Sequence, residues 1–271
     1  MMRSLYTAAS GMRAQQTNLD VISNNLANVN STGYKTSSAE FKSLLYQTLQ
    51  TRSTSANGDE KPVPAQVGTG ARVASITKHF TQGALLETGN IFGFGIEGDG
   101  LFAVRGADGE TLYTRNGDFQ MAVTDTGFML CTQEGYPVLD SDGMPIEFGD
   151  EYETSKMVVS GDGTFCYPDE TGNLRSLGIR IGLYQVTNPA GFDSVGSTMY
   201  KETDASGIAV EESSNPELKK SSIRQGRLEG SNVQVADEMV NMIVAQRAYE
   251  MNSKAIQASD EMLSEANQLR R

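Results

Sequence analysis

The stretch SLYTAASGMRAQQTNLDVISNNLANVNSTG, residues 4–33, carries Leu5, Met12, Leu19 and Leu26 seven residues apart, and Ala8, Gln15, Ile22 and Val29 repeat the step three positions later. A seven-residue repeat keeps side chains on one stripe of an α-helix, so this is a heptad seam, broken once at Gln15. Ser4 suits the N-cap and Gly33 suits the stop. The spacing predicts a helix over Leu5–Val29, about 37 Å long at 1.5 Å per residue. Near its end NNLANVN, residues 24–30, places four asparagines in seven positions. The short asparagine amide competes for backbone hydrogen bonds, which makes such a cluster a local structural device more often than an active site. Asn24, Asn25 and Asn28 are expected to end the helix by bonding its last backbone groups and neighbouring chains, while Leu26 and Val29 finish the seam. A helix end that is merely polar is the plainer alternative.

The other end of the chain mirrors this one. Val235, Met242, Tyr249, Ile256 and Leu263 stand seven apart, accompanied one position ahead of the repeat by Ala248, Ala255, Met262 and Leu269. SNVQ, residues 231–234, has capping-box spacing just before this run. A second helix is predicted over Val233–Gln268, roughly 54 Å long by the same rise. Both helices are long, terminal and remote in sequence from what lies between them. They are expected to pair with each other and then with other subunits; packing on the chain's own core is the bland alternative.

Between them the character changes. Tyr46–Pro64, YQTLQTRSTSANGDEKPVP, is polar and small-residue-rich with two prolines at its end, and reads as an extended or mobile connector. From about Gly70 to Gly226 the turn dipeptides Asp99-Gly100, Asp108-Gly109, Asn116-Gly117, Asp142-Gly143 and Asp162-Gly163 separate short strand-like runs such as LFAVR (101–105) and TLYTR (111–115). That punctuation predicts antiparallel hairpins. The expected fold is therefore α+β: long N- and C-terminal helices paired as a coiled-coil-like layer, with an inserted antiparallel all-β domain. The expected division is a terminal helical assembly domain (1–35 and 228–271), a connector (36–69) and a β-rich outer domain (70–227).

Composition excludes several functions. The 271 residues hold 22 basic and 34 acidic side chains, a net charge of −12, with no Lys/Arg-rich run, which argues against nucleic-acid binding. Cys131 and Cys166 lie 35 residues apart and His79 is the single histidine, so cysteine and histidine alone cannot build a tetrahedral metal site. The two thiols are expected to be free and half-buried, a single disulfide between them being the alternative. The first twenty residues interrupt their apolar side chains with Arg3, Arg13, Gln15, Gln16 and Asn18, which fits neither a signal peptide nor a membrane span. Gly93, Gly95 and Gly98 in GFGIEG match the dinucleotide fingerprint, but a turn and a strand follow where a helix N-terminus is needed. DSDGMPIE, residues 140–147, has its glycine in the wrong place for an EF-hand loop and reads as a hairpin turn. Asn30-Ser31-Thr32 is a chance sequon. His79 falls in a strand-like run without a nucleophile to serve. No catalytic, cofactor or metal residue is nominated, and the chain is not expected to be an enzyme.

Residues 1–35, with the NNLAN box at Asn24–Asn28, resemble the amino-terminal signature of the bacterial flagellar rod and hook proteins, and Gly230–Leu263 resembles their carboxyl-terminal one. QVGTGARV (66–73), TQGALLETGN (81–90) and IEGDGLF (96–102) extend the likeness over nearly the whole chain, nearest to the distal rod type. The lead IFGFG into IEGDG is more glycine-rich than that family's pattern. The resemblance implies a subunit whose terminal helices form an inner tubular layer beneath a β-rich outer domain. It further implies a helical homopolymer, the hollow drive shaft that crosses the periplasm in the basal body and carries torque from motor to hook. Implied partners are further copies of itself, proximal rod proteins, the hook protein, the rod cap, the surrounding basal-body rings and the flagellar type III export apparatus, which dispenses with a cleaved signal peptide. Leu5, Met12, Leu19, Ile22, Leu26, Val235, Met242, Tyr249, Ile256 and Leu263 are the expected assembly interface. Tyr46, Leu49 and Val63 of the connector are expected to be clamped between neighbours. A proximal rod protein of the same family, and a secreted β-domain adhesin, are the competing readings.

Overall fold

The computed structural model describes residues 2–50, 65–124, 127–169 and 173–268, and the chain divides into two compact units. The helical unit comprises Met1–Ala27, Ser37–Thr77 and Gln234–Arg271; the β unit comprises Asn28–Thr36 and Lys78–Val233. Together they make an α+β protein.

In the helical unit, α1 (Met2–Ala27) and α2 (Val235–Gln268) lie side by side. Ser4 Oγ is 3.2 Å from Ser259 Oγ, and a Cβ placed on Gly11 would meet the Asn252 side chain. One heptad step up α1 is thus one heptad step down α2, which makes the pair antiparallel. α1 stops at Ala27, two residues before the expected end. α2 begins at Val235, because the Gln234 carbonyl accepts the first helical bond from the Glu238 amide at 3.1 Å. Ser231 does not form the expected capping box: its Oγ accepts from the Val233 amide at 3.3 Å.

The rest of this unit is a ribbon. β1 (Ser37–Ser43) pairs with β4 (Ala71–Lys78), and β2 (Tyr46–Gln50) pairs antiparallel with β3 (Ala65–Gly68). Glu40 ties the first pair by accepting from Ser75 Oγ at 3.2 Å and Thr77 Oγ1 at 3.0 Å. The first five residues of the expected extended or mobile connector form strand β2, with Tyr46 and Leu49 exposed on it. Val63 lies outside the described residues.

The β unit is built from short antiparallel strands. β5 (Leu85–Glu87) pairs with residues 227–229, and β6 (Phe94–Glu97) with residues 222–225. β7 (Leu101–Arg105) and β8 (Thr111–Thr114) are the centre of a six-stranded sheet, completed by residues 183–185 and 210–211 on one side and 199–201 and 193–196 on the other. β9 (Phe119–Thr124) and β10 (Gly127–Thr132) form a hairpin extended by residues 147–148. Alternation along β7 sends Phe102 and Val104 into the main core and Leu101 and Ala103 into a smaller one on the opposite face. Phe102 meets Phe119 edge-on at 5.1 Å, and Phe148 meets Phe165 at 4.9 Å. Such pairs add roughly 0.5–1.5 kcal/mol beyond the area they bury. Gly109, Gly143 and Gly163 adopt the left-handed backbone expected of their turns. Gly117 does not: a Cβ there would collide with the Phe94 carbonyl, so it is glycine for close approach. Both cysteines are free, with Cys131 more deeply buried than expected. GFGIEG supplies strand β6 and the turn into β7.

Candidate assembly interface

Small residues bring α1 and α2 together at two points one heptad apart. Ser4 and Gly11 face Ser259 and Asn252, and Ala245, one further heptad along α2, is 1% exposed. The larger apolar residues stand to the side or outside. Leu5, Met12, Leu19, Leu26, Met242, Ile256 and Leu263 are half-buried, Ile22 is buried, and Val235 and Tyr249 are exposed. Val240, Val244 and Met251 form a further stripe on α2, each 60–64% exposed. Small facing residues let two helix backbones approach closely, which leaves large apolar groups free for other surfaces.

The asparagines after this seam divide their work. Asn25 is buried, and its side chain brackets one residue beyond the helix: Nδ2 donates to the Ser37 carbonyl at 2.8 Å and Oδ1 accepts from the Ser37 amide at 3.0 Å. A terminal amide supplies that donor and acceptor on two adjacent atoms of one short side chain. Asn28 Oδ1 accepts from Ser31 Oγ at 3.1 Å in the turn that follows. Asn24 is exposed at the last turn of α1.

A groove of about 480 Å³ runs beside α1, lined by Tyr6, Ala9, Ser10, Arg13, Ala14 and Thr17 from the helix and by Leu44, Ala71, Arg72 and Val73 from the ribbon. Its floor is mostly small or apolar, its two charges are both positive, and Ser10 Oγ closes one wall by accepting from the Ala71 amide at 3.4 Å.

Within the β unit, the segments nearest in sequence to the two helices are fixed by a buried charge cluster. Lys35 Nζ donates to Glu229 Oε1 at 2.7 Å and to the Thr81 carbonyl at 2.8 Å. Arg115 Nη1 lies 3.2 Å from Glu229 Oε2, and its Nη2 donates to the Gly98 carbonyl at 2.6 Å. All three charged side chains are 0–2% exposed. Burial pushes the Lys35 ammonium below its ordinary value, and the Glu229 carboxylate pulls it back up. Asn232 adds a second tie: Oδ1 accepts from the Thr36 amide at 2.7 Å, and Nδ2 donates to the His79 carbonyl at 2.8 Å. This tie holds Asn232 to the β unit just ahead of α2, where Ser231 bonds the Val233 amide instead of capping the helix. Sequence reading missed Lys35, Arg115, Glu229 and Asn232, since charged and amide residues beside turns are normally solvated.

Three family descriptions match this chain: "Flagella basal body rod protein" over residues 5–35, "Flagellar hook protein FlgE/F/G D1 domain" over 95–167 and "Flagellar basal body rod FlgEFG protein C-terminal" over 224–269. Among curated relatives, the flagellar basal-body rod protein FlgG of Borreliella burgdorferi is 44% identical over 272 residues, covering all of both chains. The chain belongs to the flagellar basal-body rod protein family. The FlgG proteins of Agrobacterium fabrum (39% identical, 97% of each chain) and Bacillus subtilis (37%, the whole of both) are further relatives. This rod family is structural and not a class of enzymes, and the chain is a structural flagellar rod subunit. Most of α1 and Lys35 fall in the first match, Arg115 in the second, and Glu229 and all of α2 in the third.

Proposed function

We propose that this rod subunit polymerises with copies of itself into the distal rod, the hollow drive shaft that carries torque across the periplasm to the hook. The observation that carries the reading is the exposed apolar surface of the helical unit, above all Val240, Val244 and Met251 on α2. Burying each such side chain contributes about 1.5–3 kcal/mol, and a neighbouring subunit is where that burial is found. In the rod, residues 1–35 and 228–271 act as the assembly domain, with α1 and α2 as a coiled-coil-like inner layer. The seam residues Leu5 to Leu26 and Val235 to Leu263 contact neighbours, helped by Asn24, Asn25 and Asn28. Residues 36–69 connect this domain to residues 70–227, and Tyr46, Leu49 and Val63 of that connector are clamped between subunits, which resists sliding. Proximal rod proteins and the hook protein meet the two ends of the polymer, the rod cap and basal-body rings surround its growth, and the type III export apparatus delivers the chain without signal cleavage. Electron microscopy of the purified protein at rising concentration tests the reading. Tubes are expected; a chain that stays monomeric at every concentration contradicts it.

A further inference from the structure

We propose that the distal part of α2 in one copy seats in the groove between α1 and β4 of a second copy. This rests on the homopolymer reading and names the two surfaces that carry it. On α2, Met251, Ala255, Ala258 and Met262 stand at i, i+4, i+7 and i+11 and are all exposed, so they form one apolar stripe. Asn252 and Ser259 turn toward α1 and leave that stripe uncovered. The groove, about 480 Å³, has Ala9 and Ala14 in its floor beside Tyr6 and Val73, so it is shallow enough in side chains to admit a helix whose middle positions are alanine. Its helical wall spans residues 6–17 and the stripe spans 251–262, each about 17 Å at 1.5 Å per residue.

Charge sets the direction. Arg13 and Arg72 are exposed at the groove and no acidic side chain lines it. Residues 251–268 carry Asp260, Glu261 and Glu265 against the single cation Lys254. Opposite patches on one molecule favour a groove-to-stripe contact over groove-to-groove or stripe-to-stripe pairing. Since groove and stripe are different surfaces, each copy keeps one free groove or stripe after docking, and a heterologous contact of this kind extends rather than closes on a pair.

The test is a charge exchange divided between two chains. Arg72→Glu in one, and Glu261→Lys with Glu265→Lys in the other, alter exposed residues only. Each variant alone should need about tenfold more protein than the unsubstituted chain to give sedimentable polymer, as like charges then face each other. An equimolar mixture should polymerise again near the original concentration, because the reversed stripe meets the reversed groove while the native stripe meets the native groove. A mixture no better than either variant, or single variants that polymerise normally, overturns this seating while leaving the homopolymer reading intact. If the unsubstituted chain forms no polymer, the homopolymer reading falls and this seating with it.

Discussion

In the β unit, Phe94, Phe102, Phe119 and Phe165 have no exposed surface, whereas in the helical unit Val240, Val244 and Met251 are each more than half exposed. The same chain thus solves its burial problem in two ways. The β unit closes aromatic side chains between its own strands. The helical unit buries Val21 and Ile22, brings Ser4 and Gly11 against Ser259 and Asn252, and leaves Val240, Val244 and Met251 outside. If the proposed polymer covers the exposed side chains of the helical unit, substitutions in the two units should separate folding from assembly.

The largest effect should come from Glu229→Ala in the β unit. It strips Lys35 and Arg115 of their shared counter-charge while both stay buried, and breaking such a cluster costs about 3–5 kcal/mol. Denaturant unfolding of the β unit reads this directly; a loss under about 1 kcal/mol would mean that water reaches the cluster. Leu19→Asp or Ile256→Asp should act on the other side of the comparison. A carboxylate at these half-buried seam positions costs about 2–3 kcal/mol of helix contact, enough to abolish polymer, with unfolding of the β unit unchanged. Normal polymer from either variant would place that position at the solvent face of the rod. Asn25→Ala removes both bonds to the Ser37 backbone and should cost about 1–2 kcal/mol, seen as faster amide exchange in β1 rather than in β7.

The smallest effect is pH-dependent and confined to the β unit. Burial raises the pKa values of Tyr113, Tyr184 and Tyr200 above the ordinary phenol value of 10.0. The folded state therefore keeps protons that the unfolded state releases, and this contribution, intact below pH 10.0, is lost as pH rises beyond it. Tyrosinate absorbance should show a late-ionising fraction in the folded protein that disappears in denaturant. A single titration step in both states would contradict the burial of these rings.

Much of this contrast could be read from sequence. The heptad steps from Leu5 and from Val235 located both helices, and Asp108-Gly109 and Asp162-Gly163 marked hairpin turns, whereas Asp99-Gly100 and Asn116-Gly117 join strands that do not pair with each other. The face by which the helices meet was harder. Apolar periodicity points to the largest side chains, whereas close helix approach selects the smallest, so Gly11 carries no periodic signal, and Ser4, which suits an N-cap, lies inside α1 because the helix begins at Met2. The charge cluster was harder still. Lys35, Arg115 and Glu229 come from three distant segments, and nothing local distinguishes them from solvated charges. Their only signal is position: Lys35 follows the Gly33 turn and Glu229 precedes Gly230, where chain bound for a helix still belongs to the β unit. The start of α2 was misjudged for a related reason, since Asn232 is held by Thr36 and His79 rather than by the helix.

Limited proteolysis of a monomer confirmed by sedimentation, repeated on the polymer, tests most directly the claim that one unit is complete and the other awaits its neighbours. The account predicts early cuts within α1 and α2 of the monomer, a resistant core ending near Val233 that retains Asn28–Thr36 through the Lys35–Glu229 pair, and protection of both helices once polymer forms. Helices as resistant in the confirmed monomer as the β unit would contradict it.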